Sequence, residues 1–191
     1  MRALICRFDS LLRLARGIFD CCDSEHCLLR LQVARAPHSL RFDNRVVEAG
    51  ESVLLLHLWN EHIPPLPLAG PDLGWASQTR RLLLRSFCAA ARQMRHNPHL
   101  AGVQAVGGVT AFLSPLEHPG GTYFMQRLGF SVLPNHSRLG RFGEFWENFY
   151  SWGIMWTFNA VSLRHRRLGR MCRSEVWMPA DEFILRYGTS E

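Results

Sequence analysis

Apolar positions along the chain alternate between helical and strand spacing. Leu4, Phe8, Leu11, Leu12, Ala15, Ile18 and Phe19 recur at three- and four-residue intervals and predict an amphipathic helix over residues 1–20. Cys27 to Arg35 alternates in part, as a strand does. Asp43-Asn44 and Ala49-Gly50 mark turns on either side of a second, shorter strand. Val53 to Trp59 is a nearly continuous apolar run and predicts a buried strand. The proline-rich stretch Ile63 to Gly74 then excludes both helix and central strand.

A long helix follows, with Ser77 or Thr79 as its expected cap. Leu83, Phe87, Ala90, Ala91 and Met94 share its inward face, Arg81, Arg85 and Arg92 lie outside, and Asn97-Pro98 ends it. Gly102 to Pro134 reads as strand, turn, short helix closed by Leu128-Gly129-Phe130, and strand. Over residues 142–167 a long aromatic helix is expected, with Phe142, Phe145, Trp146, Phe149, Trp152 and Trp156 on one stripe. The chain closes on a strand, SEVWMP, and a helix with Pro179 and two acids in its first turn and Gly188 past its end. No repeat or linker interrupts this order. One α+β domain spanning 1–191 is expected, with a mixed central sheet flanked by helices.

Composition narrows the chemistry. A length of 191 residues with 47% hydrophobic content suffices for one full core. All 22 basic residues are arginine, which excludes a lysine Schiff base and a P-loop lysine. The net charge of +6 permits nucleic acid or an anionic membrane as partner. No recognised DNA- or RNA-binding motif accompanies the arginines, so nucleic acid is not expected. The six cysteines form neither a C-x-x-C pair nor a disulfide framework, and charges interrupt the apolar N-terminal stretch. Reduced thiols in a cytoplasmic protein are therefore the expectation.

The succession from Val53 of strand, loop with glycines, helix, strand, helix ending in Leu128-Gly129-Phe130 and strand resembles the core of the GNAT-type N-acetyltransferases. That resemblance implies GNAT-like topology and a coenzyme A or acetyl-CoA site. It aligns Pro71-Asp72-Leu73-Gly74-Trp75-Ala76 with the family's pyrophosphate-binding loop. Gly74, Trp75, Ala76, Ser77 and Gln78 would meet the pyrophosphate, and the backbone of Val106, Gly107 and Gly108 the pantetheine arm. Two positions depart from the pattern. Pro71 replaces the arginine or glutamine that leads the loop and has no N–H to offer, with Asp72 beside it putting negative charge near the phosphate. Met125 holds the place of the tyrosine that protonates the leaving thiolate, and it cannot donate a proton. A broader set of segments, GESVLLLHLWNE, LLLRSF, AVGGVT and EVWMPADEFILRYG, is similar to the YkoP-like domain, found attached to some bacterial polysaccharide deacetylases. It implies an accessory role in a cell-envelope setting and no fixed activity.

His57, Glu61 and His62 form H-x-x-x-E-H, one residue longer than an inverted zincin pattern, so no metal is expected. A catalytic base, if the chain has one, is His57 or Glu61, by their position at the mouth of the sheet. Arg164, Arg166, Arg167 and Arg170 follow the aromatic helix. They suit an anionic membrane surface as well as the solvated end of a core helix. Two functions stand side by side: an acyl-CoA or other small-molecule binding domain with an acyltransferase-like site, and a non-catalytic envelope-associated module using its aromatic and arginine-rich helix.

Overall fold

The computed structural model describes residues 2–22, 27–110, 119–134, 140–164 and 173–189. Among them the chain forms α1 (Arg2–Arg16), β1 (Phe19–Asp20), β2 (Leu29–Arg35), β3 (Leu40–Arg41), β4 (Val46–Val47), β5 (Ser52–Leu58) and α2 (Leu73–His96). These are followed by β6 (Ala105–Thr110), α3 (Pro119–Arg127), β7 (Ser131–Pro134), α4 (Gly140–Phe158), β8 (Ser174–Pro179) and α5 (Ala180–Tyr187). Six strands make one mixed sheet in the order β1-β2-β5-β6-β8-β7, and β3 and β4 pair as a separate hairpin. β5 and β6 run parallel; the other neighbours are antiparallel. The expected α+β class, with a mixed sheet flanked by helices, is what forms.

Alternation along the strands sorts their side chains into two layers. Leu29, Leu31, Leu54, Val106, Val176 and Met178 join Phe87, Ala90, Ala91 and Met94 of α2 and Phe183 and Tyr187 of α5 in the larger core. Phe87, Phe130, Phe183 and Tyr187 meet there with ring centroids 5.0–6.3 Å apart. On the opposite face Val53, Ala105 and Trp177 pack with Leu40 and Val47 of the hairpin. The Leu128-Gly129-Phe130 segment does what a helix C-cap does. Phe130 N–H bonds to Met125 O at 3.0 Å, Gly129 N–H to Gln126 O at 2.8 Å, and Gly129 sits at φ +90°. Met125 is half-buried against the larger core.

Three expectations need correction. The first helix stops at Arg16 rather than at residue 20, because Gly17 turns the chain at φ +64°, and Phe19 becomes part of a strand against β2. Its inward face is rotated from the one the spacing suggests. Leu11 and Ala15 are exposed, whereas Asp9 turns inward to polar partners on β2 and α4. The aromatic helix runs over Gly140–Phe158, and a separate short turn over Ala160–Leu163 follows it. Residues 165–172, with Arg166, Arg167 and Arg170, lie outside the described residues.

At the centre of the sheet Gly107 faces the indole of Trp177. A Cβ there would stand 2.0 Å from Val176 O and 2.5 Å from the Trp177 ring. Gly107→Ala is expected to lower stability by about 3 kcal/mol through forced separation of β6 and β8. Gly74→Ala, whose Cβ would meet nothing closer than 3.4 Å, should leave the urea unfolding midpoint unchanged or raise it.

Candidate functional site

The candidate residues lie on the parallel pair β5–β6 and on the connection between the two strands. The pair's ladder joins Val53 to Ala105, Leu54 to Val106 and Leu55 to Gly107, and stops there. β5 nevertheless continues to Leu58 along β2, and β6 to Thr110 along β8. Beyond the last rung, Leu56–Leu58 and Gly108–Thr110 each pair with an outer neighbour instead of with each other. From the end of β5 the chain makes a turn over Asn60–His62 and enters the proline-rich segment that leads to α2. An open cleft of about 670 Å³ lies here, lined by Glu61, His62, Ile63, Pro64, Pro65, Gln78 and Leu82. It brings together Glu61 and Gln78, which the sequence places in two different roles.

The N-terminus of α2 differs from a phosphate cradle. Asp72, not Ser77 or Thr79, is the cap: its Oδ1 accepts the Trp75 N–H at 2.7 Å. A carboxylate thus fills part of the space where anion-binding amides would point, and it carries the wrong charge for phosphate. Gly74, Ala76, Ser77 and Gln78 lie exposed in the first turns of the helix rather than in a loop before it. Trp75 instead folds back and donates from Nε1 to Pro64 O at 2.9 Å, pinning the proline-rich segment to the helix. Val106, Gly107 and Gly108 are buried. The approach that demands small residues there is internal: Trp177 over Gly107, and Leu56 O 3.0 Å from where a Gly108 Cβ would be. Only Gly108 stands beyond the last rung of the β5–β6 ladder.

On the other face of the sheet lies a polar cluster that the spacing of the sequence does not reveal. Arg30 is 6% exposed. Its Nε bonds to Asp20 at 3.0 Å, its Nη2 to Glu61 at 3.3 Å, and its Nη1 lies 4.0 Å from Asp9. The guanidinium also sits 4.0 Å over the Trp59 ring, and Trp59 stacks on His62 at 3.8 Å. Three carboxylates from α1, β1 and the turn after β5 converge on one cation, so it ties three separate pieces of chain to β2. Tyr150 of α4 donates its hydroxyl to Asp9. Burial, and then that hydrogen bond, push its pKa up.

His57 lies opposite Arg30 across the β2–β5 ladder, with its Nε2 2.8 Å from Gln32 Oε1. Burial, reinforced by the Arg16 charge, lowers its pKa to about 4. The two proposed bases are therefore both occupied. His57 is a neutral imidazole facing an amide, and Glu61 accepts from Arg30 and, at 2.7 Å, from Trp59 Nε1. His57, Glu61 and His62 do not converge, since the strand ends at Leu58 and His62 turns its Nδ1 to Cys27 O at 2.8 Å.

Two further features went unread in the sequence. Cys21 and Cys27 meet in the core although no motif links them. The hydrogen bond between the thiols makes Cys27 more acidic and, with burial, holds Cys21 protonated. Ser86 of α2 joins this corner, its hydroxyl accepting the Leu28 N–H at 2.8 Å and the Cys21 thiol facing its carbonyl. On α4, Phe145, Trp146 and Phe149 are exposed, while Ile154, Met155 and Thr157 are buried. The aromatic stripe is thus not the helix's core face. Arg164 is exposed and donates to Leu68 O at 2.9 Å.

Arg30→Met should cost about 2–3 kcal/mol in urea unfolding, less than for a fully enclosed ion pair because its carboxylate partners keep some contact with water. His57 sets a pH dependence. Its folded pKa lies below its unfolded value, so the unfolded chain binds the extra proton between about pH 6.5 and pH 4. Stability is fully present above that window and falls as pH drops through it, by up to about 3 kcal/mol. His57→Gln should flatten this part of the stability–pH curve, measured by denaturant melts at successive pH values.

No family model, no curated protein and no solved structure matches this chain.

Proposed function

We propose that this protein is a small-molecule binding domain on an acyltransferase-like frame, taking an acyl-CoA-class ligand without transferring its acyl group. The observation that carries this reading is the early end of the β5–β6 ladder. Two parallel strands whose ladder ends while both are still extended would offer backbone donors and acceptors to a ligand that itself carries amides, as the pantetheine arm does. The cleft lined by Glu61, His62, Gln78, Leu82 and the prolines after β5 would give such a ligand both polar and apolar contacts.

The side chains argue for binding over catalysis. His57 faces Gln32, Glu61 is held by Arg30 and Trp59, and Met125 carries no proton to donate. With Asp72 capping α2, the phosphate end of the ligand would rest on exposed groups such as Ser77 and Gln78 rather than on the first-turn amides. This arrangement fits an accessory domain, the role implied by the YkoP-like resemblance, better than a working transferase.

Calorimetric titration with coenzyme A and acetyl-CoA tests the reading. Saturable micromolar binding is expected, weakened about tenfold or more by Gly74→Glu, which adds a negative charge at an exposed position where a side chain meets no clash. Absence of heat at millimolar ligand, or equal affinity in the variant, would overturn it.

A further inference from the structure

α1 and α4 lie over the same face of the sheet, joined where Tyr150 donates to Asp9. With Asp9 turned inward, α1 leaves Leu11 and Leu14 outside, 65% and 81% exposed. Along α4, Phe145, Trp146 and Phe149 are 51%, 52% and 50% exposed. Their rings touch one another, with centroids 5.6–6.3 Å apart. Three large aromatics clustered on one solvent-facing helix surface, beside a helix that exposes two leucines, are more than the scattered apolar residues of an ordinary surface.

Charge indicates what covers this face. α1 carries four arginines and a single acid, and that acid is engaged inside, with Tyr150 and near Arg30. Arg7 and Arg16 are exposed. Glu147, which neighbours the aromatic cluster, is paired with Arg173 at 3.5 Å. The two exposed leucines therefore share α1 with two exposed guanidinium groups, the side chain best suited to forked contacts with phosphate. A second copy of the chain docked through the same face would set these arginines against their own kind.

We propose that the α1–α4 face docks on an anionic lipid surface, with Phe145, Trp146 and Phe149 at the boundary of headgroups and acyl chains and the arginines on headgroup phosphates. The attachment is peripheral, both helices lying in the plane of the interface. Among the described residues no helix is long and apolar enough to cross a membrane. This inference does not rest on the acyl-CoA-class reading.

The full chain is mixed with sedimentable vesicles of phosphatidylcholine alone or with added phosphatidylglycerol. Binding is expected only with the anionic lipid, falling about tenfold or more when salt is raised well above the physiological range. Quenching of tryptophan fluorescence by brominated lipid should accompany it. The triple variant Phe145→Ser, Trp146→Ser, Phe149→Ser should lose about tenfold or more of the binding, and Leu11→Ser with Leu14→Ser should weaken it independently. All five positions are exposed, so the thermal midpoint should hold, and circular dichroism checks this. Equal binding to neutral vesicles, or undiminished binding by both variants, would overturn the proposal. So would a concentration-dependent dimer in lipid-free solution that the triple variant abolishes, which would assign the face to a second copy.

Discussion

The parallel pairing of β5 with β6 is the constraint on which the rest of the structure depends. Parallel neighbours cannot be joined by a tight turn, so the chain must leave the end of β5, cross one face of the sheet and return to start β6 beside it. The proline-rich segment and α2 make that crossing. Prolines at 64, 65 and 67 keep the first part extended, Trp75 ties it to the helix through Pro64 O, and the apolar face of α2 then covers the larger core. The crossing starts after Leu58, three residues beyond the last β5–β6 rung, and its first residues, Glu61 to Pro65, line the cleft together with Gln78 and Leu82 of α2.

The second face of the sheet is organised by charge rather than by apolar packing alone. Burying Arg30 is unfavourable unless its donors are met, and they are met by Asp20 and Glu61, with Asp9 at longer range and the Trp59 ring beneath. One cation thereby fixes the positions of α1, of β1 and of the turn after β5. Through Asp9 and Tyr150 the same cluster reaches α4. Glu61, at the mouth of the cleft, belongs to this network through Arg30 and Trp59. The same network turns Asp9 of α1 inward, while Leu11 and Leu14 face away.

Several glycines and aromatics take their meaning from neighbours far along the chain. The Gly107-Gly108 pair reads in sequence as an invitation to a ligand, yet the indole of Trp177, about seventy residues later, accounts for the first of them. The aromatic stripe of α4 reads as a core face by its spacing, since helical period alone cannot tell which side of a helix meets the protein. Here the buried side carries Ile154, Met155 and Thr157 instead. Spacing reports that a helix is amphipathic; the neighbours decide in which direction.

The sequence by itself determined the α+β class, the order of the main elements, the buried run of β5, the inward face of α2, the cap at Gly129 and the limits of α5. These depend on local periods, on proline and on glycine, whose effects act within a few residues. It also marked Gln78 and Glu61 as residues of interest without showing that they share a cleft. Only the tertiary structure decided that Arg30 gathers three carboxylates, that Cys21 meets Cys27, and that Phe145, Trp146 and Phe149 face outward. Each of these depends on which strands become neighbours and on how far their ladders run. Ion pairs and close packing form between groups brought together by that arrangement, and no spacing along the chain encodes it.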